Sequence, residues 1–394
     1  MDFTNLKNLM DHLAETFNPG NAAIVYLDGK KVFEYACGYN DLQAGTPMTG
    51  EEMFNIYSCS KVALATAGAQ MLERGRFLLT DPLYDYIPEF KEMHIKTESG
   101  ELVKAQKPIT VGDLFSMTAG FTYNTATEGF AKARQLTGGK MDTVETIKCM
   151  AADPLSFEPG ARWQYSLCHD VLAALISVIS GRKFRDYMKE NIFDPLDMQE
   201  TCYHHTSETL ARTATQYSFI PEGSEDFDMV EAQKFGKARK GSFRDEGRET
   251  RPSLALGEEY DSGGAGIITT VADYAKFTAA LANGGLGLTG ERILSPYTID
   301  LMRTNRLNEE QMKGFSWSQL SGCGYGLGVR THINPAVSGS IANLGMFGWG
   351  GAAGASVIVD PRIKLGVFFA QHTLNPREEY YQPRLSNVVY SCLD

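Results

Sequence analysis

Residues 54–61 read Phe-Asn-Ile-Tyr-Ser-Cys-Ser-Lys, placing Ser58 three positions before Lys61 at the head of the run "VALATAGAQMLERGRF". Residues three apart on a helix share a face, so a helix opening here sets the Lys61 amine against the Ser58 hydroxyl. Two readings of Ser58 stay open on this spacing. It is either a helix N-cap that satisfies the first free N–H groups, or a nucleophile whose oxyanion those N–H groups and the positive helix end would stabilise. A nucleophile needs a base near neutral pH. A free lysine has a pKa of about 10.4, and bringing it to roughly 7 costs on the order of 4 kcal/mol, which burial can supply. A phenol set against both groups would share the proton. Tyr165 in "ARWQYSLCHDVLAALISVISG" is the candidate, aimed from the loop before an amphipathic helix. A second Ser-x-x-Lys, Ser180 to Lys183, straddles Gly181, which is expected to end a helix and part the two side chains.

A further element is "MFGWGGAAGASVIVD", in which Trp349-Gly350-Gly351 leads into the strand-like "ASVIVD". Glycines there allow close backbone approach, and a strand edge beside the nucleophile can offer a second oxyanion N–H and pair with an extended acyl group. A β-bulge is the plain structural alternative. His169 lies one helical turn beyond Tyr165 and reads as a partner for Asp170 or a packing residue before it reads as a site residue. Adjacent His204 and His205 point apart, and no H-x-x-x-H or Cys/His cluster occurs, so neither a metal nor a cofactor is expected. Cys59 reads as a small packing residue. The chain contains neither the G-x-S-x-G nucleophile elbow nor a G-x-x-x-x-G-K phosphate loop.

These residues need elements to hold them. "AAIVYL-DGK-KVFEYACG" near the start predicts a hairpin around Asp-Gly, and "GASVIVDPRIKLGVFFAQ" near the end repeats the arrangement. Between them, "VGDLFSMTAG", "TVETIKCMAAD", "HDVLAALISVISG", "KFRDYMKENIF" and "TVADYAKFTAALANGG" carry apolar residues at helical spacing with glycine stops. Strands at both ends and helices between predict an α+β chain. Its antiparallel sheet would be built from residues 1–85 and 265–394, with a mainly helical region, 86–264, inserted. The cleft between the two parts is then the natural site. Residues 221–253, dense in acids and bases and without periodicity, read as a solvated excursion, or alternatively as a flap over the cleft.

Composition bounds the rest. With 394 residues, 43% hydrophobic, the chain can bury a large core, and a net charge of -11 with no segregated basic patch disfavours nucleic acid as a partner. No run of eighteen apolar residues suggests a membrane span. The acidic start, with helical spacing of Leu6, Met10, Leu13 and Phe17, does not look like a secretion signal, and the seven cysteines lack a C-x-x-C pair. A cytoplasmic location with reduced thiols is the expectation.

Taken in order, "FNIYSCSK", "ITVGDLFSMTAG", "WQYSLCHDVLAALISVISG", "DSGGAGIITTVADYAKF" and "FGWGGAAG" resemble the serine β-lactamase and penicillin-binding-protein-like superfamily. The likeness is strongest to its class C-like branch, which includes the family VIII carboxylesterases, and runs from about residue 20 to 372. The resemblance implies a β-lactamase-like fold and acyl transfer through a covalent acyl-enzyme. It puts the nucleophile on Ser58, its lysine on Lys61 and the second-motif tyrosine on Tyr165. The third motif falls on Trp349, Gly350 and Gly351 as substrate-binding residues, and the oxyanion hole on the N–H groups of Ser58 and Ala352. Two departures matter. Tyr165-Ser166-Leu167 has no amide where the family usually has Tyr-x-Asn, and Trp349 stands where penicillin-recognising members carry a cation. Trp349 offers stacking area and one N–H but no charge, which favours neutral, apolar groups. The expected activity is therefore a carboxylesterase on small esters with weak or no β-lactamase activity. A D-amino-acid peptidase or amidase of the same superfamily is the first rival, with Arg330 as the cation it would need. A catalytically silent ligand-binding module is the second. No oligomeric state is implied.

Overall fold

At the centre of the molecule, a computed structural model describing residues 1–223, 241–248 and 256–393, lies an eight-stranded antiparallel sheet drawn from both chain ends. After helix α1 (Thr4–Thr16) come β1 (Gly20–Leu27), β2 (Lys30–Asp41) and β3 (Thr46–Pro47). Helices α2 (Ser60–Glu73), α3 (Val111–Ser116), α4 (Cys168–Ser180) and α5 (Val271–Ala282) follow. The chain then returns through β4 (Cys323–Tyr325), β5 (Arg330–His332), β6 (Phe347–Gly348), β7 (Ser356–Asp360) and β8 (Leu365–Gln371), and finishes in α6 (Glu378–Ser391). Across the sheet the order is β4-β5-β6-β7-β8-β1-β2-β3.

Both predicted hairpins form. Asp28 and Gly29 turn β1 into β2 with φ of 47° and 74°, the double positive φ that Asp-Gly readily adopts. The ends of the chain meet where β1 pairs with β8, Asn21 opposite Gln371 through Leu27 opposite Leu365. Alternation along β1 then sorts its side chains. Ala23 and Val25 join Leu6, Met10, Leu13, Leu385 and Val389 beneath α1 and α6, while Ala22 and Ile24 face the core that holds Tyr274 and Phe277 of α5. Gly366 lets α5 settle on β8, because a Cβ there would stand 2.7 Å from the Ala279 nitrogen.

The predicted helices are present with local reasons for their ends. Thr110 and Asp113 form a capping box on α3, Thr270 caps α5, and Gly181 closes α4 in the left-handed conformation. Part of the charged stretch departs from expectation. Residues 241–247 form a strand, Gly241–Gly247, antiparallel to Gln216–Pro221, with Phe243 against Phe219 at 5.6 Å. Thr373–Leu374 pairs in parallel on the far side of Gln216–Pro221. The aromatic pair outweighs the polar composition there. Residues 224–240 and 249–253 of the predicted excursion or flap lie outside the described residues. Among the described residues, no helix is long and apolar enough to cross a membrane.

Candidate active site

Residues Tyr57–Cys59 form a 3-10 turn that leads directly into α2. Tyr57 holds a φ of 47°, a left-handed conformation that costs an ordinary residue roughly 1–2 kcal/mol. Its hydroxyl is anchored on Gln216. The turn leaves Ser58 partly exposed while everything from Ser60 to Met71 is buried. Lys61 is 0% exposed. Its Nζ lies 3.1 Å from Ser58 Oγ and donates to the Gly264 carbonyl at 2.7 Å.

The loop that carries Gly264 crosses the start of α2. Ile267 N–H donates to Ser60 Oγ, and Ile56 N–H to the Ile267 carbonyl. Gly264 has no room for a side chain, since a Cβ would stand 3.0 Å from Asp170 Oδ2 and 3.1 Å from Lys61 Nζ. These two groups are thus at most about 6 Å apart. Burial drives the Lys61 pKa down from its ordinary 10.5 to about 7, against the opposing pull of Asp170. Asp170 is buried as well, and desolvation raises its pKa although Ser262 and Tyr260 donate to its Oδ1 at 2.7 and 3.2 Å.

Tyr165 completes the contact. Its phenol donates to Ser58 Oγ at 2.5 Å and receives the Trp349 indole N–H at 3.2 Å. The Lys61 Nζ lies 4.6 Å from the Tyr165 ring centroid and 5.7 Å from that of Tyr123. Burial pushes the Tyr165 phenol upward, so it stays protonated at neutral pH. Ser58 Oγ therefore sits between an amine near its midpoint and a phenol that holds its proton. Such a pair can take a proton from the hydroxyl and return one to a leaving group.

The third motif lies along the same turn. Gly351 is pressed against the Ile56 carbonyl, which a Cβ would approach to 2.3 Å. Ala352, the next residue, is exposed, and its N–H donates to no group among the described residues. Gly350 bridges Ser356. Trp349 is only 3% exposed, with its ring 5.7 Å from that of Tyr165 at 22°. It thus meets the phenol with both its face and its N–H. All three tryptophans of the chain, Trp163, Trp317 and Trp349, gather around Tyr165.

The side candidates sit elsewhere. His169 is buried with Nε2 3.4 Å from the Phe115 carbonyl, and desolvation lowers its pKa to about 3, so it packs as a neutral ring. Asp170 bonds Ser262 and Tyr260, not His169. His204 contacts Asp261 and His205 contacts Thr209. Cys59 is buried, its thiol directed at the Trp349 carbonyl. Lys183 pairs with Glu259, while Ser180 Oγ donates to the Ser177 carbonyl and accepts from the Arg182 N–H. Arg330 is 8% exposed and donates to Gln382. No group of three or more His, Cys, Asp and Glu side chains that could hold a metal occurs among the described residues.

Three contributors escaped sequence reasoning. Gly264 supplies its carbonyl to Lys61, Asp170 supplies the facing carboxylate, and Tyr123 closes over the amine. A "DSGGAG" tract signals a tight loop, but nothing in it says which lysine it will cover.

A family model described as Beta-lactamase matches residues 6–389. Protein Rv1367c of Mycobacterium tuberculosis (strain ATCC 25618 / H37Rv) is 28% identical over 338 residues, 83% of this chain and 79% of its own length. Esterase EstB of Burkholderia gladioli is 27% identical over 368 residues, 90% of this chain and 86% of its own. Among solved structures, EstCE1, described as a hydrolase with promiscuous acyltransferase activity, superimposes with a TM-score of 0.76 at 22% identity, over 98% of this chain and 97% of that one. With the model match spanning nearly its whole length, the chain belongs to the beta-lactamase family.

Proposed function

We propose that this chain is a serine hydrolase that forms an acyl-enzyme on Ser58 and acts as a carboxylesterase on small esters. The observation that carries the reading is the hydroxyl of Ser58 held at once by Lys61 Nζ at 3.1 Å and Tyr165 OH at 2.5 Å, with the lysine dry enough to be half neutral near pH 7. Neutral Lys61 takes the proton of Ser58 as Oγ bonds to the ester carbonyl carbon. The carbonyl oxygen becomes an oxyanion that the N–H groups of Ser58 and Ala352 receive. The tetrahedral adduct then expels the alkoxide, which leaves as alcohol with the proton of Tyr165, and the phenol regains one from Lys61. Water enters by the same steps in reverse: its proton goes to the Lys61 and Tyr165 pair, its oxygen to the acyl carbon, and Ser58 leaves reprotonated. Ester rather than β-lactam or peptide preference is supported by Trp349 in place of a cation and by the burial of Arg330, whose guanidinium is already engaged with Gln382. EstB, an esterase by name, is in keeping with that preference.

The test pairs purified protein with a Ser58→Ala variant on p-nitrophenyl esters of graded acyl length and on a chromogenic cephalosporin, with intact mass read after quenching. Ester turnover lost in the variant, an acyl adduct on Ser58 and little cephalosporin hydrolysis are the expected results. Equal rates in the two proteins without an adduct would remove Ser58 from the reaction.

A further inference from the structure

Glu378 stands beside the third motif and has no part in the acyl transfer above. It opens α6, and a Cβ on Gly350 would lie 2.9 Å from its Oε1 and 2.3 Å from Gln382 Nε2, so the bare glycine is what leaves those two groups their place. Gln382 Nε2 lies 3.3 Å from Oε1, and Gln319 Nε2 donates to Oε2 at 3.0 Å. Gln319 in turn follows Trp317 by two residues. The Trp317 ring meets Tyr165 edge-on at 5.1 Å and lies 6.3 Å from Trp349. Glu378, Trp317 and Tyr165 are each partly exposed. One short segment thus links a partly exposed carboxylate to an aromatic ring that packs on Tyr165, whose hydroxyl bonds Ser58.

The charged neighbours of Glu378 are Arg330, which is buried and bonded to Gln382, and Glu379, the next residue of α6. Desolvation pushes the Glu378 carboxyl up to about 7 against the pull of Arg330, so it is ionised in mildly alkaline buffer, and unlike the buried Arg330 it is partly exposed. A carboxylate next to aromatic faces is how proteins receive an ammonium group, by charge and by the ring quadrupole together. An anion brought to the same place meets like charge.

Building on the esterase reading, we propose that Glu378 is a specificity residue: with Trp317 it forms a subsite that takes a cationic group, an amine or quaternary ammonium, on the substrate and turns away a carboxylate. This extends the loss of a cation at Trp349 from indifference to anionic substrates to selection against them.

The experiment uses matched short esters ending in trimethylammonium, tert-butyl or carboxylate, with the group carried in one set on the alcohol part and in another on the acyl part, assayed at pH 8. In at least one set the wild-type kcat/KM ratio of cation over carboxylate is expected at about thirtyfold or more. It is expected to fall about tenfold in Glu378→Gln, while Trp317→Ala lowers the cation-over-neutral ratio. Ratios are taken within each variant, so a change in basal rate cancels. A Glu378→Gln ratio within about twofold of wild type, with only a lower Tm, would overturn the proposal and leave Glu378 as a carboxylate that serves the start of α6. Should wild type cleave none of the esters, the esterase reading is what fails. The subsite is then read from binding of benzyltrimethylammonium, benzyl alcohol and phenylacetate, followed by quenching of the tryptophans around Tyr165. Equal affinities for the three, or no change in Glu378→Gln, overturns the proposal by that route.

Discussion

Lys61 is the residue whose state most directly ties stability to chemistry, and replacing it by methionine tests both. Its folded pKa is about 7 against an ordinary value of 10.5, because the ammonium is stripped of water inside α2. A folded value below the unfolded one means that the unfolded chain binds the proton more tightly. Lys61 therefore costs the fold its full penalty below pH 7, a penalty that shrinks as pH rises and vanishes above about 10.5. At about 1.4 kcal/mol for each pH unit in that window, the whole penalty is on the order of 4–5 kcal/mol, of which about 2 kcal/mol is relieved between pH 7 and 9. Other groups add to the slope in the same range, among them Cys59 and Cys168, whose thiols burial holds protonated in the fold while they ionise near their ordinary values once unfolded, so the quantity to read is the difference between wild type and Lys61→Met. Urea unfolding across pH 7–9 should show wild type gaining about 2 kcal/mol on the variant. The variant is expected to be the more stable protein at pH 7 and to have lost turnover. Asp170 titrates against the same amine, so the comparison is repeated in an Asp170→Asn background, where a slope that persists belongs to Lys61. Parallel stability curves for wild type and Lys61→Met in both backgrounds would mean that the amine stays charged in its pocket, and the proton path from Ser58 would fall with it.

Three further outcomes follow from the same geometry. Asp170 Oδ2 and Lys61 Nζ are at most about 6 Å apart around Gly264, worth about 2.8 kcal/mol at an effective dielectric of about 20. Asp170→Asn should therefore move the acidic limb of the kcat/KM profile down by about two pH units, and an unmoved limb would show that Asp170 is uncharged in the folded protein. Trp349→Phe keeps the ring against Tyr165 and deletes its N–H donor. A fall of about tenfold in kcat with KM held within about threefold is expected, and the reverse split would make Trp349 a substrate contact instead. Gly351→Ala puts a Cβ 2.3 Å from the Ile56 carbonyl and must push the third motif away from Ser58. Ester kcat/KM should drop at least about 100-fold with little change in far-ultraviolet circular dichroism, and full activity would show that Ala352 N–H is not needed.

What could be read in advance divides by the distance over which each contact closes. The hairpin at Asp28-Gly29, the capping box of Thr110 and Asp113, and the Gly181 stop are local devices, complete within a few residues, so pattern and structure agree. Ser58 and Lys61 belong with them, being one helical turn apart. Tyr165 carries no local mark beyond the loop that precedes its helix, and Trp349 none beyond the glycines beside it, so the order of the motifs is what joined both to Ser58. Gly264 and Asp170 lie inside two of those motifs and Glu378 outside them, but none shows what it faces, since their partners are brought in by folds of the chain far from them in sequence: Gly264 accepts from Lys61 across 203 positions, Asp170 from Ser262 across 92, and Glu378 from Gln319 across 59. The strand Gly241–Gly247 hid for another reason, because its one inward aromatic, Phe243, is outnumbered by charges that face solvent.

One property of the site was nevertheless written in the sequence and went unread. The run after Lys61, "VALATAGAQM", has no charged residue, and only Thr66 and Gln70 are polar among small or apolar neighbours. A helix without a wet face can only be central. Gly68 shows how tightly it is enclosed, since a Cβ there would stand 2.6 Å from the Phe115 ring. An amine in the first turn of such a helix has no direction in which to reach water, and desolvation alone must lower its pKa. The downward shift of the Lys61 pKa thus follows from the composition of the helix behind it, before any partner is known. Replacing one of those small residues by a polar one that draws water along α2 would raise the lysine toward its free value without touching Ser58, Tyr165 or Trp349.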